Sequence, residues 1–469
     1  MKFTNLLPRT SETCLLIEHL EILPNRKHGI TDDDLASVLP NCPNIETAIL
    51  TGVPDLTDRT VIILVRAANN LKELDVSGCQ QVSNVTIFEL ASQATALESI
   101  KLNNVPSITD PSISALTLSL AHLSVLELCN SPFLTASSAR DIWTFARKLK
   151  KLRLARCSQL TDKGFPSVSS SHGEVDTGIR SAKAAKAKTN VFQEDIIPNS
   201  SSSDYFHLSE VHPRPTSWLD ILPPLSLPPH HILRDLRHLD LSYCYKLTDN
   251  AIAGAVAHAP KIQYLNLTGC VEMTDKSLES ISKLGQSLDV VSLGHVESVT
   301  DKGVVTFARA CPRLKSIDLS FCSNLTDMSV LEIGTLTHLR RLSLVGLHAL
   351  TDNALLFLAE HTPTLMRLHV SQCNQLSLEA VHTLISRLTN LEHLSASGLP
   401  SLRRLGVKRF SESAPSGYDR RLQGPYRVFI GGKILELRLF LDKELRRRRE
   451  AERRNIIFTP RSDDSEDLY

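Results

Sequence analysis

The chain has 469 residues, with 52 Lys plus Arg against 51 Asp plus Glu and a formal net charge of +1. That balance excludes a chain-wide nucleic-acid or anionic-membrane binder and leaves only local basic patches. Apolar residues are 42% and charged residues 22%, enough for a large core, so wholesale disorder is excluded.

At the N-terminus, MKFTNLLPRTSETCLLIEHLEIL lacks a signal peptide's order of basic, apolar and small-residue regions. Nowhere does an apolar run reach the roughly 18 residues a membrane helix needs. The expectation is a soluble intracellular protein, cytoplasmic and/or nuclear. Its ten cysteines read as reduced thiols rather than a disulfide framework.

The dominant signal is a repeat. Thr-Asp begins at Thr31, Thr57, Thr109, Thr161, Thr248, Thr274, Thr300, Thr326 and Thr351, with degenerate copies at Ser83, Thr135 and Ser377. The steps are 26 residues throughout, apart from one of 25 and one of 87 between Thr161 and Thr248, which is one repeat plus 61 inserted residues. A second pattern precedes each Thr-Asp: LKELDVSGC (71–79), LKKLRLARC (149–157), LRHLDLSYC (236–244), IQYLNLTGC (262–270), LKSIDLSFC (314–322) and LMRLHVSQC (365–373). This is L-x-x-L-x-L-x-x-C, the leucine-rich-repeat consensus closed by Cys, in about eleven recognisable copies.

Each unit has a simple physical reading. The middle of L-x-x-L-x-L alternates with period 2 and predicts a short strand, with Leu74 and Val76 inward and Glu73, Asp75 and Ser77 outward. Thr-Asp sits where a helix begins, its oxygens capping free N–H groups. Helical spacing follows, as in Leu278, Ile281 and Leu284. A Pro before the next strand, in CPNI (42–45) and CPRL (311–314), stops the helix. One unit cannot bury its own apolar side, so neighbours must stack. The predicted fold is α/β, a leucine-rich-repeat solenoid or horseshoe with a parallel sheet on the concave face and helices on the convex face.

Repeats of this length, with Cys closing the strand and Thr-Asp opening the helix, resemble the cysteine-containing subfamily found in F-box/leucine-rich-repeat proteins and in the antagonist-of-mitotic-exit-network family. The resemblance covers roughly residues 15–405 outside the insert. The tail RVFIGGKILELRLFL (427–441) is similar to the end of fungal glucose-repression-resistance-type F-box proteins. The resemblance implies a non-catalytic substrate receptor of an SCF ubiquitin ligase, with linker and cullin subunits as partners and the substrate protein on the concave face. No F-box opening is recognisable: LLPRTSE does not supply one, and repeat-like sequence starts by about Ile17. The alternative is a ligase-independent scaffold or cell-cycle antagonist using the same solenoid.

Four segments follow in chain order. Residues 1–165 are N-terminal repeats, 166–235 a low-complexity and largely disordered insert, 236–405 C-terminal repeats, and 406–469 a cap. The insert holds SVSSSH, SAKAAKAK, NSSSSD and LPPLSLPPHH. Ser, Pro, Lys and Ala dominate it, and it reads as a tolerated surface loop or a phosphoregulated one. Trp218, Leu219, Ile221 and Leu222 are its candidates for rejoining the array. In the cap, 411–425 reads as a loop, 426–434 as strand and turn, and 435–454 as a charged helix. Its Arg446–Arg449 run with Arg453 and Arg454 is interleaved with Glu444, Glu450 and Glu452. That pattern reads as a solvated helix, with a nuclear-localisation or phosphate patch as the competing reading.

No Walker loop, dinucleotide glycine motif, nucleophile elbow, HExxH or zinc-spaced Cys/His cluster is present, so no enzyme, metal or cofactor is expected. The cysteines closing each strand motif read as small buried groups donating weakly to loop backbone. What remains is a surface. Residues flanking the inward Leu pairs give Lys151, Arg153 and Arg156, then His238, Tyr243, Tyr264, His295, Phe321, Arg341, Arg367, His369 and His393. Cations mixed with aromatics suit a peptide with acidic or phosphorylated groups, against which Asp240 and Asp318 on the same face count.

Overall fold

The computed structural model describes all residues except 1, 5, 6, 9, 24–29, 54, 169–221 and 459–469. The repeats form one unit, Met1–Val168 with Pro223–Tyr469. The readings of the insert between Ser169 and Ile221, including Trp218, Leu219 and Ile221, lie outside the described residues.

Every strand of the unit is three residues long. They are β1 Lys2–Thr4, β2 His19–Glu21, β3 Thr47–Ile49, β4 Glu73–Asp75, β5 Ser99–Lys101, β6 Val125–Glu127, β7 Lys151–Arg153 and β8 His238–Asp240. After them come β9 Tyr264–Asn266, β10 Val290–Ser292, β11 Ser316–Asp318, β12 Arg341–Ser343, β13 Arg367–His369, β14 His393–Ser395 and β15 Val428–Ile430. Their order in the sheet is their order in the chain, and β1 to β14 pair parallel. The 14 parallel strands exceed the eleven legible copies because the first units are degenerate: Ile17, Leu20 and Ile22 serve β2, and Ile45, Ala48 and Leu50 serve β3, all buried.

Strands stack about 4.8 Å apart, whereas helices are about 10 Å wide, so a sheet with one helix per strand bends with the strands inside. The fold is therefore a solenoid whose sheet lines the concave face. Its core is a single ladder: the central residue of β4, β7, β9, β12 and β13 is Leu74, Leu152, Leu265, Leu342 and Leu368, at most 2% exposed.

Two side-chain ladders join successive repeats. In the first, the Asp of one Thr-Asp accepts from the Thr of the next. Asp249 Oδ1 accepts from the Thr274 amide at 2.8 Å and Oδ2 from its hydroxyl at 2.7 Å, while Ser277 adds its amide and hydroxyl. The same pairing links Asp32 to Thr57, Asp58 to Ser83, Asp301 to Thr326 and Asp352 to Ser377. This corrects the helix-cap reading of the dipeptide. The Thr hydroxyl does cap its own helix, as where Thr248 accepts from the Asn250 amide, but the carboxylate reaches across to the neighbouring repeat. Burial raises the pKa of Asp58, Asp249 and Asp301, yet the hydrogen bonds they accept outweigh it and hold all three below the usual carboxylate range.

In the second ladder, each closing Cys donates its thiol to a backbone carbonyl of the preceding repeat. Cys79 reaches Leu50 at 3.2 Å, Cys270 reaches Leu241 at 3.2 Å and Cys373 reaches Leu344 at 3.1 Å. Burial pushes these thiols up, to about 11 for Cys79 and Cys373 and about 12 for Cys270, which suits a structural group rather than a nucleophile.

Both ladders cross the insertion point without a break. Leu152 pairs with Leu239, Cys244 donates to the Leu154 carbonyl, and Asp162 accepts from the Thr248 amide at 2.8 Å. In this repeat a single turn of 3-10 helix, Asp162–Gly164, stands where the others have an α-helix. The chain ends around the insert fill the slot: Ser167 donates to the Leu225 carbonyl, Phe165, Leu225 and Leu233 are buried, and His231 donates to the Trp143 carbonyl. Gly254, in the helix Asp249–His258, makes room, since a Cβ there would overlap the Pro166 carbonyl.

At the other end β15 runs antiparallel to β14, with Leu394 opposite Phe429. The helix Gly432–Arg453 then covers the last repeat with Ile434, Leu437, Phe440 and Leu441. Arg404, nearly fully buried, grips Glu444 through two hydrogen bonds of 2.8 and 2.9 Å.

Three outcomes are expected. Leu265→Ala should cost about 2–5 kcal/mol in denaturant unfolding, with faster amide exchange concentrated in its own and adjacent repeats. Asp249→Ala should cost about 1–3 kcal/mol by leaving the Thr274 and Ser277 donors unpaired, whereas Asp249→Asn should cost much less. Asn84 already plays that part, accepting from the Thr109 amide and donating to its hydroxyl. Because the folded pKa of Asp249 is depressed, its contribution is complete above the unfolded value near 3.9 and lost as pH falls through the folded one. Urea midpoints from pH 5 to pH 2 should therefore fall less steeply for Asp249→Asn than for the natural chain.

Candidate interaction surface

The register of the sheet aligns equivalent residues into rows across the concave face. Lys151, His238 and Tyr264 are neighbours at the first strand position, as are Arg341, Arg367 and His393 further on. Arg153 and His369 occupy the third position, beside Asp240 and Ser343 respectively. These eight predicted residues lie on strands.

The other four do not. Arg156, Tyr243, His295 and Phe321 sit on the turn just beyond the strand, with φ of 61°, 59°, 60° and 62°. The cause is a backbone demand. Each amide donates to a carbonyl of the next repeat, as Tyr243 does to Thr268 and Phe321 to Val345 at 2.7 Å, just before the chain turns toward the Cys position. Other repeats place Gly78, Asn104, Asn130, Gly269, Gly346 or Gly398 here, residues that accept left-handed backbone readily. Bulky residues held there cost of order 1–3 kcal/mol each and tend to cluster at functional sites. Gln372 shares the conformation and was not among the predicted residues. The recurrent Gly or Asn before the Cys position is the signal that finds it.

These strained side chains form a stacked ridge. The Arg156 guanidinium lies 4.9 Å from the Tyr243 ring centre, and His295 stacks on Phe321 at 4.5 Å and 15°. Two glycines make room for the rings: a Cβ on Gly269 would come within 2.5 Å of Tyr243, and one on Gly346 within 2.6 Å of Phe321. Below the ridge, His238 stacks on Tyr264 at 4.0 Å, nearly parallel.

The charges divide the surface in two. Lys151 pairs with Glu127 at 2.7 Å, and Arg153 with Glu127 at 3.2 Å and Asp240 at 3.1 Å. Glu127 and Asp240 are buried, so Lys151 and Arg153 balance internal carboxylates and are not the free cations the sequence pattern promised. Burial opposes the charge on Glu127, but hydrogen bonds from Lys151 and Asn103 and the nearby Arg153 hold its pKa below the usual range. Burial also disfavours the charged form of three of the histidines. Burial, then Lys151, pushes His238 down to about 4; burial lowers His369 with help from His393, and His393 with help from Arg367. Arg341 and Arg367 remain exposed on adjacent strands, with no carboxylate partner among the described residues. Also among the described residues, no group of three or more His, Cys, Asp or Glu is placed to hold a metal ion.

This architecture is a leucine-rich-repeat solenoid, a fold that typically serves as a non-catalytic scaffold for protein interaction through an extended concave surface. A family profile described as Leucine Rich repeat matches residues 258–282. Among solved structures the chain is similar to one in the crystal structure of the Rad7 and Elc1 complex in yeast, at 17% identity. That likeness covers 69% of this chain and 75% of the other, with a TM-score of 0.43. No helix among the described residues is long and apolar enough to cross a membrane.

Arg156→Asn should leave the thermal midpoint unchanged or raised, since Asn tolerates left-handed backbone and only the contact with Tyr243 is lost. A loss above about 1 kcal/mol in a melting experiment would mean the strained Arg serves the fold rather than the surface.

Proposed function

We propose that this chain is the non-catalytic substrate-recognition subunit of an SCF-type ubiquitin ligase, holding a target protein on its concave face for ubiquitin-dependent proteasomal degradation. The repeat subtype, with Cys closing the strand motif and Thr-Asp opening the helix, supports the ligase assignment. The observation that carries the binding face is the pair of arginines, Arg341 and Arg367, side by side in the sheet, exposed and without a carboxylate partner among the described residues. Acidic or phosphorylated groups match them, because a guanidinium binds such anions through two parallel hydrogen bonds. The ridge from Arg156 to Gln372 supplies rigid side chains of the kind that anchor interfaces.

Tagging the full-length protein at its own locus tests the assignment: linker and cullin subunits should co-purify reproducibly with it. Target proteins recovered without them would favour the second reading, a ligase-independent scaffold or cell-cycle antagonist, which the same repeat subtype also supports. Arg341→Glu with Arg367→Glu should weaken target binding at least tenfold without lowering the melting temperature. An unchanged affinity would remove this face from the proposal.

A further inference from the structure

The C-terminal end of the concave face holds a cleft of about 390 Å3. Ser395 and His393 of β14 line it, with Tyr418 and Tyr426 of the segment before β15 and with Phe321 and Gln372 of the ridge. None of its lining side chains is Asp, Glu, Lys or Arg. Its size is at the small end for ligand pockets, about 300–1,000 Å3, and is closer to one large side chain than to a cofactor.

Three features define what the cleft takes. Tyr418 and Tyr426 meet edge to face at 4.9 Å, and Phe321, stacked on His295, closes the side toward the ridge, so aromatic surface is presented from two directions. Aromatic partners gain from such offset and edge contacts beyond the area they bury. His393, Gln372 and Gln423 also line the cleft. These polar side chains suit an incoming N–H or O–H carried on an apolar body. The Ser371 and Ser395 hydroxyls, 3.0 Å apart, are already engaged with each other. Finally, His393 is register-paired with Arg367, which is register-paired with Arg341. A polypeptide crossing the strands passes from the cleft to one arginine and then to the other.

We infer that this cleft receives one tryptophan or tyrosine side chain of a partner polypeptide whose adjacent acidic residues reach Arg367 and Arg341. The inference rests on the concave-face reading above and adds the aromatic anchor. Strands lie about 4.8 Å apart and an extended peptide rises about 3.3 Å per residue. The acidic residues therefore fall within about three positions of the aromatic one, on the same side of it. A purely acidic segment would leave the cleft empty. An aliphatic side chain would fill the space without a donor.

The test is selection of a phage-displayed random 12-residue peptide library on the full chain. Peptides carrying Trp or Tyr with two acidic residues within three positions should be enriched. By fluorescence anisotropy, replacing that aromatic residue with Ala in the best peptide should weaken binding tenfold or more. Ser395→Phe, which fills the cleft, and Tyr426→Ala, which removes one wall, should each lose a similar factor and no longer discriminate the aromatic peptide from its Ala version. Thermal melting establishes which variants are folded, and the aromatic-to-Ala comparison on the natural chain stands if either fails. Enrichment of acidic peptides without an aromatic residue, or equal affinity for both versions, overturns the cleft and leaves the concave-face reading standing. Peptides indifferent to Arg341→Glu with Arg367→Glu and to both cleft variants overturn the two together.

Discussion

The molecule depends on one constraint: each repeat must hand its unsatisfied polar groups to the next. A strand of three residues and a helix of about ten cannot form an independent core, so the stack is the smallest stable object. Apolar burial drives the stacking but says little about spacing. The Asp-to-Thr and Cys-to-carbonyl hydrogen bonds specify it, since each has a partner only when the neighbouring repeat is one strand away. That is why the array runs through the insertion point unchanged. The Asp162–Thr248 and Cys244–Leu154 contacts span the same spatial step as their counterparts elsewhere, whatever length of chain lies between.

The same regularity produces the binding face and its strain. Turning the chain away from the sheet requires left-handed backbone at one position per repeat. Glycine and asparagine meet that demand at little cost, and early repeats use them. From Arg156 onward larger side chains take the position in five repeats and glycine in three, and two of those glycines give neighbouring rings room. Stability has been given up here for a row of rigid side chains along the sheet's edge, the pattern expected of a surface that meets something.

Electrostatics then distinguishes two stretches of one continuous sheet. Around β6 to β8 the charges are equal, opposed and partly buried, so they hold adjacent strands together. Around β12 and β13 the cations have no carboxylate partner among the described residues and face solvent, and burial disfavours the charged form of the neighbouring imidazoles. Position in the array, more than charge, decides whether a cation is a strut or a contact: Lys151 and Arg367 both occupy the first strand position and have opposite surroundings.

Periodicity is a one-dimensional property, and what depends on it was legible in the sequence: the solenoid, the parallel sheet, the inward leucines and the helix starts at Thr-Asp. The strand β1 escaped because it lies before the first Thr-Asp, outside the grid, and the full strand motif is hard to see in the units of β2 and β3, where Ala48 stands in place of Leu. The direction of the Asp side chains, the left-handed turn under Tyr243 and Phe321, and the pairing of Lys151 and Arg153 were not legible. Each depends on which residue of the next repeat, about 26 positions away, lies across from it in space. Sequence alone determined that the units stack; only their register against one another decided which charges cancel, which remain open and where the cleft forms.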